Sequence, residues 1–307
     1  MTDLGTSMEN HPIPRRLNLF LGALVLLLCA FWIWLTAQVS GWWILLPATA
    51  FGLTNNTLFS MLHESVHGNF HPQRSRNDAW GRLFAAFFPT GFAMQRVFHL
   101  GHHARNRTEV EQFDYIRPGE KAWLKRAQWY CILTGFYWVF VALGAVLIAI
   151  WPGLTRLPMF TQTLSGKQTS AQAMFSGLDR ISLWTLRADL IIALSVQTTL
   201  LWLTGFNYVA WMACYACFAV FWSSLQYADH AFSPLDVRNG AWNLRIQPLI
   251  RWMYLNYHYH RVHHQQPDLS WIHLPKFVGD QTKDPSFLSI YLSMWRGPRP
   301  FPEGEHV

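Results

Sequence analysis

Charge is the scarcest commodity in this 307-residue chain: Asp, Glu, Lys and Arg make up 13% of it, against roughly 25% in a soluble domain. That scarcity sets aside a water-soluble globular protein. Cysteine is also sparse. The four present (Cys29, Cys131, Cys214 and Cys217) lie inside apolar runs, so they read as small packing residues and not as a disulfide framework. Cys214 and Cys217 match C-x-x-C, but no second pair and no βαβ pattern accompany them. No internal repeat, low-complexity tract or polar linker divides the sequence. No dinucleotide fingerprint, fused haem domain or cysteine-ligated iron–sulfur motif occurs, so any redox chemistry needs electrons from another protein. Basic residues are scattered between apolar runs, which argues against nucleic acid as a partner.

What fills the chain is hydrocarbon. Hydrophobic residues reach 51% and aromatics 16%, with 17 Trp; amphipathic rings of this kind settle at membrane interfaces. Five apolar segments, 17–37, 42–62, 129–151, 188–204 and 207–228, each approach the ~20 residues that a helix needs to cross a ~30 Å hydrocarbon layer. Such long runs exclude the alternation of a membrane barrel. The expected fold is therefore all-α: a polytopic integral membrane helical bundle, forming a single domain over 1–307. The first run is long for a signal core and lacks a small-residue cleavage site, so it reads as a retained span.

The net charge of +7 fits the positive-inside bias of membrane proteins. Arg15 and Arg16 place the N-terminus in the cytoplasm, and the uncharged link 38–41 reads as an external turn. The second segment then returns inside. A fifth crossing by 129–151 would put Arg156, Lys167, Arg180 and Arg187 outside, against that bias. Segments 188–204 and 207–228 therefore read as an out-and-back pair, with 129–151 re-entrant or interfacial. In a bacterium the host would be the inner (plasma) membrane.

Against this background the histidines stand out. Of fourteen, nine fall in four tight groups: His63 and His67 in HESVH; His99, His102 and His103 in HLGHH; His230 in QYADH; His260, His263 and His264 in HRVHH. Residues three and four apart share one face of a helix, so each group points its imidazoles one way. Gln226 stands one turn before His230. HESVH alone spells the H-E-x-x-H of a zinc protease, for which Ser233 to Asp236 (SPLD) offers a distant aspartate ligand. That reading leaves the two H-x-x-H-H clusters without a purpose. Eight or nine nitrogens are too many for one tetrahedral zinc. They suit two ions with four or five nitrogens each, and imidazole alone leaves iron, copper, nickel and zinc open.

The order H-x-x-x-H, H-x-x-H-H, distant H-x-x-H-H resembles the membrane fatty acid desaturase superfamily, with its related alkane hydroxylases and carotenoid ketolases, over about residues 42–278. The resemblance implies an oxidoreductase with two non-haem iron ions, O₂ as co-substrate, and a lipid or fatty acyl substrate. It implies a separate electron donor of ferredoxin, rubredoxin or cytochrome b5 type with its reductase. Carried over by position, the metal ligands are His63, His67, His99, His102, His103, His230, His260, His263 and His264, at the cytoplasmic membrane edge. Gln226 and His230 match an amide and a histidine one turn apart, with Gln where acyl-CoA desaturases have Asn. The first box has three intervening residues, as in acyl-lipid desaturases, ketolases and alkane hydroxylases, and the third begins with His260. Both point away from an acyl-CoA substrate and leave desaturation, hydroxylation and ketone formation open, with an acyl-lipid desaturase as the leading expectation.

Around the ligands, Glu64, Gln226, Asp229 and Asn256 are expected to act directly or through water, with Asp114 and Asp268 as further carboxylates. Asp229 stands foremost because it adjoins His230. Carboxylates commonly orient ligating histidines. Asn56 and Ser60 share a helical face with His63 and His67. They either line a substrate channel or bind helices together. His71, His258 and His273 lie off the box spacing and are read as non-ligands. Arg74, Arg76, Arg105, Arg107, Lys121, Lys125 and Arg126 offer a basic face for an acidic electron carrier.

Overall fold

A computed structural model of the chain describes residues 11–88, 90–161 and 175–302. These residues are mostly helical, as the sequence predicts, with turns and coil between the helices. Extended structure among them is limited to isolated bridges and a two-residue parallel pair, β1 (Tyr115–Ile116) against β2 (Arg299–Pro300). Helices α1 (Arg15–Gln38) and α2 (Leu45–His67) form a hairpin joined by a 3₁₀ turn at Gly41–Ile44. After them come α3 (Arg74–Ala85), α4 (Phe92–Arg105), α5 (Ala122–Leu133) and α6 (Tyr137–Ile150), then α7 (Leu183–Leu203) and α8 (Tyr208–Ala228). The short α9 (His260–Gln265) carries the last histidine cluster.

By length and composition α1, α7 and α8 are able to cross a membrane, and α5 with α6 makes a fourth if that bent pair counts as one span. The second expected span, α2, has the length but not the composition. Asn55, Asn56, Ser60, His63, Glu64 and Ser65 fill its second half, and all are buried. It is tolerated because α1, α3, α4 and α8 wrap it in protein, so its polar groups meet neighbours and not hydrocarbon. Gly52 is what lets α8 so close: a Cβ there would stand 2.8 Å from the backbone of Cys217 and Phe218. Asn56 donates to the carbonyl of Gly52 at 2.8 Å and reaches that of Phe218 at 3.4 Å, while the Ser60 hydroxyl donates to Tyr254 O at 3.2 Å. Neither side chain lines the large cavity described below. Of the two readings offered for them, helix-to-helix bonding is the one realised. All four cysteines are free, with Cys29 and Cys214 buried in the core.

Between α5 and α6 the chain turns by 93°. Segment 129–151 is thus not one straight helix, a shape that a re-entrant segment and a broken span share. Gly135 makes the corner. Its φ is +81°, and a Cβ would lie 2.6 Å from the Ala219 backbone on α8. Of the basic region 152–187, residues 162–174, including Lys167, lie outside the described residues.

Helix α4 is aimed from outside itself. Asp189 on α7, buried, accepts the backbone N–H of Ala93 at 2.8 Å and the guanidinium of Arg82 at 3.0 Å. Its carboxylate therefore caps the N-terminus of the helix that carries the second histidine cluster.

Gly135→Ala tests the corner. A non-glycine residue with positive φ costs about 1–3 kcal/mol, and here its methyl group would also meet α8. A lowered thermal midpoint in detergent is expected, while Gly144→Ala in the middle of α6, where a Cβ meets nothing within 4 Å, holds or raises it. Equal midpoints for Gly135→Ala and wild type would refute the corner's role.

Candidate metal centre

Four elements deliver nine imidazoles to one place. His63 and His67 stand one turn apart at the end of α2, where Gly68, at φ +85°, closes the helix. Arg96 of α4 donates to the carbonyls of Ser65 and Val66 and pairs with Asp78 at 2.6 Å, locking α2 to α4. The last turns of α4 present His99, His102 and His103. His230 follows α8, its ring held by a hydrogen bond from Nδ1 to the Gly240 carbonyl at 3.0 Å. His260, His263 and His264 come from α9.

The nine divide into two groups. His63, His67, His99, His103 and His263 form one; His102, His230, His260 and His264 form the other. Within each group the ligand atoms lie within 4.8 Å of one another. The groups touch, with the His103 and His264 rings stacked at 4.2 Å. The ring nitrogens converge: Nε2 of His67 and His99 are 2.9 Å apart, His99 and His103 3.0 Å, His103 and His263 3.0 Å, His102 and His230 3.1 Å, and His260 and His264 3.3 Å. Two nitrogens bound at right angles to one ion, with bonds of about 2.1 Å, stand about 3.0 Å apart.

Electrostatics points the same way. Burial, reinforced by neighbouring imidazoles, holds His99, His230, His260, His263 and His264 well below the ordinary histidine range, and His103 at about 2. Neutral rings carry one N–H each. Where Nδ1 is spent outward, as in His230, the Nε2 lone pair faces another ring. Asp229 adds a carboxylate with no exposure, 3.9 Å from His230 Nε2 and 3.7 Å from His260 Nδ1. Neither of its oxygens nor His260 Nδ1 has a hydrogen-bond partner, and burial pushes its carboxyl well above the usual carboxylate range. Convergent lone pairs beside an unpaired buried acid are what bound cations satisfy, so the donor set fits two metal ions.

The expected supporting residues fare unequally. Asp229 faces the imidazoles. Gln226 hydrogen-bonds the Tyr257 hydroxyl, and the Tyr257 ring packs 4.5 Å from His63 and 4.8 Å from His260. Glu64 is turned elsewhere: its carboxylate accepts from Ser270 Oγ at 2.9 Å and Trp271 N at 3.2 Å. Asn256 donates to Trp271 O at 3.1 Å. Asp114 binds Arg107 and the Phe232 N–H, and Asp268 is exposed. Sequence reasoning missed Glu111, whose Oε2 lies 2.6 Å from His102 Nδ1. It sits in a 3₁₀ turn (Glu109–Glu111) that folds back after α4 ends, so no helical spacing points to it. Asp236 accepts from the backbone of Arg238 and Asn239 at the surface. Two members of the supposed basic face are also corrected. Arg107 and Lys125 are buried, paired with Asp114 at 2.8 Å and Glu120 at 3.4 Å.

A cavity of about 590 Å³ opens beside the centre. His99, His102, His230 and His260 line it beside the centre, and Phe98, Trp138, Val141, Ala145, Ile148 and Trp222 are among its apolar walls. The sequence model of the family Fatty acid desaturase matches residues 40–284, a stretch that holds all nine histidines. No curated protein matches the chain.

A pH dependence follows from the depressed rings. Unfolded histidines take up protons near pH 6.5, whereas these do so in the fold only at far lower pH. Below about 6.5 the unfolded state binds more protons, so stability falls as pH falls. The metal-free protein is expected to hold its thermal midpoint above pH ~7.5 and to lose it steadily from ~7 to ~5. A midpoint flat across that window would contradict buried neutral rings.

Proposed function

This chain belongs to the fatty acid desaturase family, and from that premise we propose that it is an O₂-dependent di-iron enzyme that introduces a double bond into the alkyl chain of a membrane lipid. The observation that carries the proposal is the division of nine imidazoles into groups of five and four at the end of an apolar cavity. His63, His67, His99, His103 and His263 would hold one iron; His102, His230, His260 and His264 the other. Bound iron supplies the O₂ activation needed to remove hydrogen from an unactivated C–H bond. The protein's own contribution is position and dryness. Phe98, Trp138 and Trp222 exclude water, and a chain lying along α4 and α6 presents its carbons to the histidine wall. We take the chain to act as one domain.

Helices α2 and α8 support the membrane placement. Each ends at the metal centre, and each spans about 32–34 Å at 1.5 Å per residue. Near their far ends stand Trp42 and Trp43 in the turn before α2, Trp202 at the end of α7 and Tyr208 at the start of α8, all strongly exposed, as suits an aromatic belt at the opposite interface. Arg15 and Arg16 begin α1 at the histidine end, which by the positive-inside bias favours the cytoplasm for that end. Electrons would arrive there from a ferredoxin, rubredoxin or cytochrome b5-type carrier and its reductase, docking near the exposed Arg74, Arg76, Lys121 and Arg126. Hydroxylation or ketone formation on an alkyl or carotenoid chain would use the same centre and differs in its product. The engagement of Glu64 with Ser270 and Trp271 supports an oxygenase over an H-E-x-x-H zinc protease, which needs that carboxylate beside the metal.

Two measurements test this. Protein from iron-replete cells is expected to hold close to two irons per chain, and a reproducible single zinc with no iron on reconstitution would sink the proposal. Host lipids profiled with and without O₂ should gain an unsaturated species that the His263→Ala variant does not make; a hydroxylated or ketone product would move the reaction to the sister class.

Glu64→Gln separates the motif's two meanings. The amide still accepts from Ser270 or Trp271, so activity is expected to fall by no more than ~100-fold, while His63→Ala and His67→Ala abolish it. Complete loss in all three would return Glu64 to the chemistry.

A further inference from the structure

The two halves of the centre differ in what stands behind their rings. In the four-imidazole half, His102 Nδ1 meets the Glu111 carboxylate at 2.6 Å, and Asp229 faces His230 and His260 at 3.9 and 3.7 Å. His230 also binds the Gly240 carbonyl, and the remaining ring, His264, has a neutral neighbour, its Nδ1 lying 3.5 Å from the Asn106 amide. In the five-imidazole half, no carboxylate hydrogen-bonds any ring among the described residues. The nearest fixed charge there is Arg96, a cation beside His67 that Asp78 partly offsets. Glu111 is itself held, since its second oxygen accepts from Arg105 Nε at 3.2 Å, and its side chain is largely buried.

A carboxylate on the outer nitrogen of a ligating imidazole fixes the ring's direction and raises the basicity of its inner nitrogen. A nearby anion also lowers the energy of a divalent ion in a poorly screened site. Both effects act on the four-imidazole half alone. Resting on the di-metal reading above, we propose that Glu111 is a positioning residue that acts through His102 to make the four-imidazole pocket, the half that supplies most of the histidine wall of the cavity, the tighter and first-filled metal position.

The test uses the full-length chain in detergent, stripped by chelator and titrated with Co²⁺, followed by ligand-field absorption and calorimetry. Binding of two Co²⁺ by wild type checks the di-metal reading separately from the role of Glu111. The H67A/H263A protein keeps the four-imidazole pocket, and the H230A/H264A protein keeps the other. Adding Glu111→Gln is expected to weaken Co²⁺ binding ~10–100-fold in the first background and to leave it within a few-fold in the second. Arg105→Gln, which spares the Glu111–His102 bond, should change neither strongly. Should the half-site proteins fail to fold, the intact chain decides: Glu111→Gln must weaken the stronger of two binding steps and spare the weaker. Equal weakening of both pockets, no weakening of the four-imidazole pocket, or an Arg105→Gln defect as large as that of Glu111→Gln would overturn the proposal.

Discussion

Nine imidazoles packed together, most with a ring nitrogen about 3 Å from another's, are tolerable only if something stands between their lone pairs. Much else in the structure answers to that constraint. The rings must arrive from four stretches of chain distant in sequence, so α2, α4, α8 and α9 must all end at one level. Each is held there by a contact that has no other evident purpose: Arg96 on the carbonyls ending α2, Asp189 on the N-terminus of α4, the Gly240 carbonyl on His230 and Trp271 on Glu64. The Arg96 guanidinium and the Asp189 and Glu64 carboxylates thus fasten elements that carry imidazoles.

Membrane topology is bound by the same requirement. His67 and His103 precede the α5–α6 pair, and His230 and His264 follow it. A straight crossing by residues 129–151, with α7 and α8 each crossing, would leave the later rings on the wrong side of the bilayer. The 93° corner at Gly135 is compatible with a segment that enters and leaves on one side, and equally with a broken span. It also folds α6 back over α4 and α8, where its apolar face completes the cavity wall. One bend therefore shapes both the path of residues 129–151 and the volume available to a hydrocarbon chain.

The parts of the site legible in the sequence were those fixed by local periodicity. The pairs and triplets His63/His67, His99/His102/His103 and His260/His263/His264 declare themselves by helical spacing, and long apolar runs mark α1, α7 and α8. What sequence did not show is set by tertiary return of the chain. Glu111 reaches His102 only because the segment after α4 doubles back. Arg107 and Lys125 looked like surface charge because nothing local reveals that Asp114 and Glu120 bury with them. Asn56 and Ser60 shared a face with the ligands, yet that face meets Phe218 and Tyr254 before it reaches the cavity. α2 failed the apolar test for the same reason: a helix sheathed by other helices is free to carry polarity that a lipid-facing helix cannot.

The cavity and the metal centre also share walls. His99, His102, His230 and His260 belong to both, so rings able to hold an ion also line the space open to a hydrocarbon chain. Three of those four lie in the half backed by Glu111 and Asp229. Filling that pocket draws its imidazoles into fixed directions and gives the Asp229 carboxylate a cation to face. The surface offered to a hydrocarbon chain would then carry fewer facing lone pairs. Without the ion, the same wall carries facing lone pairs and an unpaired buried acid, a poor neighbour for an alkyl chain. On the di-metal reading, metal loading and the shape of this end of the cavity would be one equilibrium, and a bound hydrocarbon chain would favour the loaded form for the same reason that the loaded form favours the chain.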